Sequence, residues 1–438
     1  MIFDALKSKA ASLKSDSMVR KLMLACRKLL SEKGEASGAS LARETLALYT
    51  ELDSDQRVRF FKILTLEFSP DPAKVLASAA AYAQIPSAEH LAALTHVTEP
   101  PRQELLRRFN RAPGGTQTIV SMRERLLDAL RKDAELSQVD ADFRHLLSSW
   151  FNPGFLRLVR VDWNAPAALL EKLIKHEAVH EIRGWNDLHR RLEQDRRCFA
   201  FFHPVMPEEP LIFVEVALVR DMASEIGPLL DVDEAPANPR DCNTAVFYSI
   251  SNCQPGLRGV SLGNFLIKQV VDQLTQEFPR LKRFCTLSPV PGFRDWLKEK
   301  VARGFEPQYR IPSEVFAALA QVETKLGDTL GAGVAELRLQ EKRIGALRDE
   351  LLCLVSAYLT GVGAPDGVSG DPVARFHLHN GARLDRLNWG ADASDKGLRQ
   401  SLGLMVNYVY EPRRIEYNHE QFVRGVTVAS KDVTGRLS

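Results

Sequence analysis

The stretch from Thr244 to Leu287 constrains the fold more than any other part of the chain. Thr244-Ala-Val-Phe-Tyr-Ser-Ile-Ser251 is a dense run of β-formers, and the glycine-bearing loop Gln254-Pro-Gly-Leu-Arg-Gly-Val-Ser-Leu-Gly-Asn264 follows it. An apolar helix is expected from about Asn264 to Phe278, then a strand over Leu281 to Leu287. Strand, loop, helix, strand is a βαβ crossover, so part of the sheet should be parallel. Glycines in such a loop let backbone N–H groups approach a phosphate, and a helix N-terminus adds partial positive charge. The loop lacks the Gly-Lys-Ser/Thr ending of a phosphate loop and the spacing of the dinucleotide fingerprint. An anion-binding element and a plain tight turn both fit it.

The crossover sits in a β-rich region. Phe155 to Trp163, Arg197 to Phe202 and Leu211 to Val219 read as further strands. Before Trp150 the texture is helical, with apolar residues at three- and four-residue spacing over Arg43–Leu52, Ser54–Leu66, Asp71–Ala83, Ser87–Leu94, Arg102–Phe109 and Thr118–Leu136. Ser54, Asp71 and Ser87 are N-cap candidates. Residues 313–360 return to helix, with Val334–Leu359 expected as one long amphipathic helix carrying Glu341, Lys342, Arg343 and Arg348 on its wet side. With 438 residues the chain is long enough for two or three domains. The expected class is α+β: an all-α bundle over 1–150 for packing or oligomerisation, then a mixed-sheet domain over 151–438 with a helical insertion at about 313–360.

Charge and composition remove several classes of function. The 58 basic and 56 acidic residues leave a net charge of +2, which argues against a chain that coats nucleic acid. No run of 18 apolar residues occurs, so no transmembrane helix is expected. Six cysteines are scattered without a Cys-x-x-Cys pair, as in a reducing compartment. The segment Met1–Leu22 lacks an apolar signal core, and Asp4 and Asp16 count against a transit peptide, so a cytoplasmic protein is the simplest expectation.

Three short motifs carry candidate chemistry. His176-Glu177-Ala178-Val179-His180 matches the zinc-protease pattern His-Glu-x-x-His, whose histidines would share one helical face. A third ligand at metzincin spacing is missing and Arg183-Gly184 breaks the helix, so a surface helix end competes with a metal site. In Phe284-Cys-Thr-Leu-Ser-Pro-Val-Pro-Gly-Phe293, Ser288 falls at a strand's end, where open α/β sheets bind ligands, with a turn or cap serine as the bland alternative. Asp371-Pro372 and Asn380-Gly381 bracket a short helix containing His377 and His379, although a hairpin turned at Asn-Gly also fits.

The loop resembles the pyrophosphate-binding element of the Gcn5-related acetyltransferase fold, which grips coenzyme A. That fold commonly places a general-acid Tyr four residues before a helix-ending Gly, and here His377 holds the slot. Taken together, Arg196–Phe202, Phe247–Ser251, Gly256–Lys268, Leu287–Phe293, Phe376–Ala382, Asn388-Trp389 and Gly403–Tyr408 resemble the malonyl-CoA decarboxylase family in sequence and order.

The resemblance implies a helical N-terminal bundle used in assembly, an acetyltransferase-like catalytic domain, malonyl-CoA as substrate and a homo-oligomer, dimer or tetramer. It implies neither metal nor organic cofactor, because the thioester itself can accept the electron pair as an enolate, and neither a nucleic-acid nor a membrane partner. The family's catalytic pair falls on Ser288 and His377, and its coenzyme A loop on Arg258, Gly259, Val260, Ser261, Leu262, Gly263 and Asn264. Some members carry an acidic residue where Ser261 stands, so no role for that carboxylate carries over. Backbone N–H groups near Ile250 and Ser251 and the Ser288 hydroxyl are expected to hold the thioester and carboxylate, with His377, as imidazolium or through Ser288, protonating the α-carbon. Tyr410 is expected either to orient His377 or to be a core tyrosine. A coenzyme A-dependent N-acyltransferase and a non-catalytic acyl-CoA sensor stay open as alternatives at this level.

Overall fold

A computed structural model describes residues 17–31, 37–260, 262 and 266–438. These group into two compact units. One contains the chain up to Arg157 together with Phe202–Pro210 and Gln254–Leu262; the other contains Leu158–Phe201, Leu211–Cys253 and residues 263–438.

The first unit is built from helices over 17–30, Gly38–Thr50, Ser54–Glu67, Pro72–Gln84, Ala88–Thr98, Pro101–Phe109, Gly115–Leu130 and Ser137–Trp150. Their apolar faces meet at Phe60, Phe61, Leu64, Phe109, Leu126 and Phe143. Asp71 and Ser87 cap their helices as the sequence suggests. The cap before Ser54 belongs instead to Asp53, whose carboxylate accepts from Gln56 N–H at 2.8 Å while the Gln56 side chain accepts from Asp53 N–H at 2.9 Å. The helix expected to run to Leu136 stops at Leu130, because Asp133 caps a fresh 3-10 turn over Ala134–Leu136 through Glu135 N–H.

Among the described residues the sheet has eight strands: β1 (Arg157–Val161), β2 (Arg196–His203), β3 (Met206–Val219), β4 (Thr244–Asn252), β5 (Arg283–Thr286), β6 (Ser288–Pro289), β7 (Arg383–Asn388) and β8 (Met405–Tyr410). Their order is β1-β2-β3-β4-β5-β8-β6, with β7 also on β8. β3 and β4 are antiparallel, whereas β4 and β5 are parallel and joined through the helix Leu266–Glu277, the crossover expected from sequence. Chain and sheet together give the α+β class with a mixed sheet.

Parallel pairing of β4 with β5 reaches only Phe247 opposite Thr286, with Leu287 N–H bonding Phe247 C=O at 3.0 Å. Beyond that point β4 continues to Asn252 on β3 alone. The expected long helix Val334–Leu359 is three pieces, Val334–Leu339, Glu341–Gly345 and Arg348–Thr360. Gly345, a poor residue for a helix interior, closes the middle piece, and Leu337, Ile344 and Leu347 are each buried along the bent path. No helix among the described residues is long and apolar enough to cross a membrane.

Candidate active site

Ser288 lies where β5 gives way to β6, held by pairing with Val406 of β8. His377 comes from the helix Pro372–His379, which settles the choice between helix and hairpin at this motif. Asp371 starts that helix by accepting from the N–H groups of Val373 at 2.9 Å and Ala374 at 3.0 Å. Gly381 ends it at φ +81°, where an added Cβ would lie 2.2 Å from the carbonyl oxygen of Ile415, so only glycine fits.

The two side chains meet: Ser288 Oγ is 3.0 Å from His377 Nε2, and both residues are buried. On the other side of the ring, Nδ1 is 2.8 Å from the hydroxyl of Tyr410. Tyr408 stacks on the imidazole with ring centroids 4.7 Å apart. Burial without a charged partner pushes the His377 imidazole down to about 3, so it is neutral near pH 7. The Ser288 hydroxyl donates to Thr286 Oγ1 at 2.9 Å. A hydroxyl has one proton to give, so in this arrangement Nε2 carries the ring proton and donates it to Ser288, while Nδ1 accepts from Tyr410.

This dyad differs physically from a nucleophilic serine triad. There, a carboxylate behind the imidazole stabilises the imidazolium that forms when serine is deprotonated. Here a neutral phenol fills that position, and burial raises the pKa of Tyr410 well above its usual value. With a phenol in place of the carboxylate, the chain Tyr410–His377–Ser288 lacks the charge that would help the imidazole pull a proton off the serine.

No local motif marks Thr286 or Tyr408 as part of the site. Alternation along a strand puts residues i and i+2 on one face, which sets Thr286 beside Ser288 and Tyr408 beside Tyr410. Asp371 does more than cap its helix. Its second oxygen also accepts from Gly292 N–H at 3.3 Å and Tyr358 O–H at 3.4 Å, so one buried carboxylate ties the His377 helix to the turn after Ser288. Asp371→Ala should destabilise the protein by about 1–2 kcal/mol. Asp371→Asn, which keeps a capping acceptor, should cost less than half as much; the midpoints of urea unfolding at unchanged slope measure both.

The backbone groups expected near Ile250 and Ser251 divide. Cys253 N–H bonds Leu211 C=O at 2.9 Å, and alternation along the antiparallel ladder then turns Ser251 N–H toward β3 and Ile250 N–H away from it. The Ser251 hydroxyl is committed as well, donating to Glu177 at 3.2 Å and accepting from Ala178 N–H at 3.1 Å. Phe247 of β4 packs edge-on against Tyr410 at 6.2 Å.

The His-Glu-x-x-His stretch is not a helical pair of ligands. The helix Ala167–His176 ends at its first histidine. Glu177 accepts from the N–H groups of Val179 and His180 at 2.7 Å each, and from Ser249 Oγ at 2.8 and 2.7 Å. The stretch is the helix end that the sequence also allows, with Ala178 exposed, although its last residue, His180, is buried and desolvation pushes its pKa down to about 4. Among the described residues no group of three His, Cys, Asp or Glu side chains is placed to hold a metal.

Arg258, Gly259, Val260 and Leu262 belong to the first compact unit, while Ser261, Gly263 and Asn264 lie outside the described residues. Within that unit the start of the loop is fixed to the helices Gly115–Leu130 and Ser137–Trp150. Arg123, paired with Asp140 at 2.8 Å, donates to Gly256 C=O at 2.7 Å. A Cβ at Gly256 would come within 1.9 Å of the Val120 carbonyl oxygen. Arg144 of the second helix reaches the Gly259 turn, its Nε 3.7 Å from where a Cβ would stand.

Comparison with known proteins gives consistent matches over most of the chain. The profile described as malonyl-CoA decarboxylase C-terminal domain matches residues 154–438, and that of the malonyl-CoA decarboxylase N-terminal domain matches residues 68–151. The mitochondrial malonyl-CoA decarboxylase of Rattus norvegicus is 34% identical over 404 residues, 87% of this chain and 82% of the rat protein. That of Anser anser anser is 38% identical over 325 residues, 71% of this chain but only 64% of the goose protein. Crystal structures of malonyl-CoA decarboxylase from Rhodopseudomonas palustris and Agrobacterium vitis are each 46% identical, with TM-scores of 0.85 and 0.83. Both alignments cover 95% of this chain, with 99% and 100% of those chains.

Proposed function

The chain belongs to the malonyl-CoA decarboxylase family, and on that premise we propose that it converts malonyl-CoA to acetyl-CoA and CO2 with Ser288 and His377 as its proton-delivery pair. The bond between the carboxylate and the α-carbon breaks, CO2 leaves, and the electron pair moves into the thioester as an enolate. The thioester is thus the electron sink, with no metal or organic cofactor called for. Ser288 turns its hydroxyl from Thr286 toward the α-carbon and gives up its proton; His377 Nε2–H restores it, Tyr410 follows at Nδ1, and water returns the proton to the chain. The Ile250 N–H, directed away from β3, suits the developing enolate oxygen, where a well-placed donor is typically worth about 3–4 kcal/mol. For the nucleotide we propose the loop residues Arg258, Gly259, Val260, Ser261, Leu262, Gly263 and Asn264, with Arg144 and Arg258 available to the phosphates.

The observation that carries this reading is the 3.0 Å contact of a neutral, buried histidine with Ser288, backed by a phenol where a nucleophilic triad has a carboxylate. Purified protein given malonyl-CoA alone should release CO2 and acetyl-CoA one to one, and Ser288→Ala should lower that turnover by roughly 10²-fold. Turnover that requires an added amine would replace this reading with acyl transfer. Binding without turnover would replace it with a sensor, and a malonyl ester trapped on Ser288 would replace the proton relay with covalent catalysis.

We further propose a reducing, cytoplasmic setting, with all six cysteines buried and none in a disulfide, and a role in malonate or fatty acid metabolism. Homo-oligomerisation through the helical unit is supported by one hairpin. Helices Pro72–Gln84 and Ala88–Thr98 pack on each other yet bury none of their own side chains, leaving Leu76 73% and Leu91 47% exposed. Sedimentation should report a dimer or larger, and a monomer at micromolar concentration would contradict this.

A further inference from the structure

Four residues along β5 from Ser288, where β5 starts and β8 ends, the second unit has a cavity of about 890 Å³ whose wall carries six cationic side chains and only three carboxylates. The excess is not spread evenly. Arg383 is paired with Asp385 at 2.6 Å and with Glu411 at 3.2 Å. Arg386 is spent on the Asn407 side chain at 3.0 Å and on the carbonyls of Met222 and Ala223. Lys282, Arg283 and Arg413 have no carboxylate in ion-pair distance among the described residues, and all three are exposed at the rim. Lys282 also lines an adjoining cavity of about 780 Å³ with Arg220, Arg240 and Arg280, facing Asp241 alone. In a chain whose net charge is only +2, this concentrates a large share of uncompensated positive charge at one end of the sheet. Concave, low-dielectric walls focus such a field and raise the local concentration of anions.

We propose that this cavity binds a small polyphosphate anion, at a site separate from the one that takes malonyl-CoA. A cavity of this volume admits a ligand of nucleotide size. The unpaired guanidinium groups of Arg283 and Arg413 are planar forks suited to phosphate oxygens, and Lys282 adds a mobile point charge. Its wall reaches Tyr410, the phenol behind His377, but neither Ser288 nor His377 lines it, and its place at the start of β5 sets it one strand length (roughly 13 Å at 3.3 Å per residue) from Ser288.

The experiment is a titration of the full-length protein with inorganic tripolyphosphate in about 0.15 M salt, where exposed charges more than about 8 Å apart are screened. It is run with and without saturating coenzyme A. The expected result is saturable binding that persists with coenzyme A present and weakens at least about tenfold in the double variant Arg283→Glu, Arg413→Glu. A matched reversal in the helical unit, Arg131→Glu with Lys132→Glu, should leave affinity within about twofold. No saturable binding, equal weakening in both double variants, or loss of binding when coenzyme A is added would each overturn the proposal. The readout is binding and involves no turnover, so it stands or falls independently of the decarboxylase reading.

Discussion

His377→Ala lowers the turnover of malonyl-CoA by about 10²–10⁴-fold, the usual range for a positioned general acid, and leaves KM within about twofold. The separation follows from the geometry: the imidazole touches Ser288 and Tyr410, and the residues proposed for the nucleotide lie elsewhere in the chain. Loss of binding as well as rate would move His377 into substrate recognition, and near-normal CO2 release would remove it from the reaction.

The same histidine sets two pH dependences. Its folded pKa of about 3 means that no imidazolium is titrated away between pH 6 and 8, so kcat/KM should show no loss from this group across that range. For stability, the unfolded chain takes up a proton near pH 6.5 while the folded chain does not. The His377 contribution is therefore fully present above 6.5, and is lost as pH falls through 3, at no more than about 1.4 kcal/mol per pH unit. His377→Asn should flatten that acid limb in urea unfolding measured from pH 7 to 4.

Arg191→Ala costs about 3–5 kcal/mol of stability, the expected penalty for leaving a buried charge without its partner. The Arg191 side chain is 1% exposed and holds three elements together. It bonds Glu215 of β3 at 2.9 Å, Asp187 at 2.8 Å and the carbonyl of Glu181 at 3.1 Å. Glu215 is equally buried and lies opposite Ser249 at the bulge that separates Glu215 from Val216. Lysine cannot replace this fork, so Arg191→Lys should recover less than half of the loss.

Burial already pushes the Glu215 carboxyl up against the pull of Arg191, and removing the arginine pushes it further. The folded variant then holds a proton that the unfolded chain releases, so Arg191→Ala should regain stability as pH is lowered from 7 toward 5. A loss below about 1 kcal/mol, or no recovery on acidification, would show that the cluster is hydrated and not a buried charge network.

What the sequence makes legible here is what local chemistry decides. The β-formers from Thr244, the glycines after Gln254 and the apolar helix before Glu277 each announce themselves within a few residues, and together they require the crossover. Asp371-Pro372 and Asn380-Gly381 likewise state where the His377 helix begins and ends. Contacts between distant residues are what remained hidden. The five-residue pattern at His176 looks helical until Ser249 and Ser251, more than 70 positions away, engage Glu177. The glycine loop reads as part of the sheet region, yet Arg123 and Val120 fix its first turn to helices more than 100 residues earlier. That Ser288 would donate to Thr286, and that the imidazole would be fully buried against Tyr408, depend on strand register and packing that no local motif encodes.

The most direct measurement is a structure of the protein with a malonyl-CoA analogue whose carboxylate cannot be lost. The account requires the α-carbon within roughly 3.5 Å of Ser288 Oγ, the separation of a near-attack geometry, with His377 behind the hydroxyl. An α-carbon seated away from Ser288, or a carboxylate pointing at Ser288 while another acid faces the α-carbon, would contradict it.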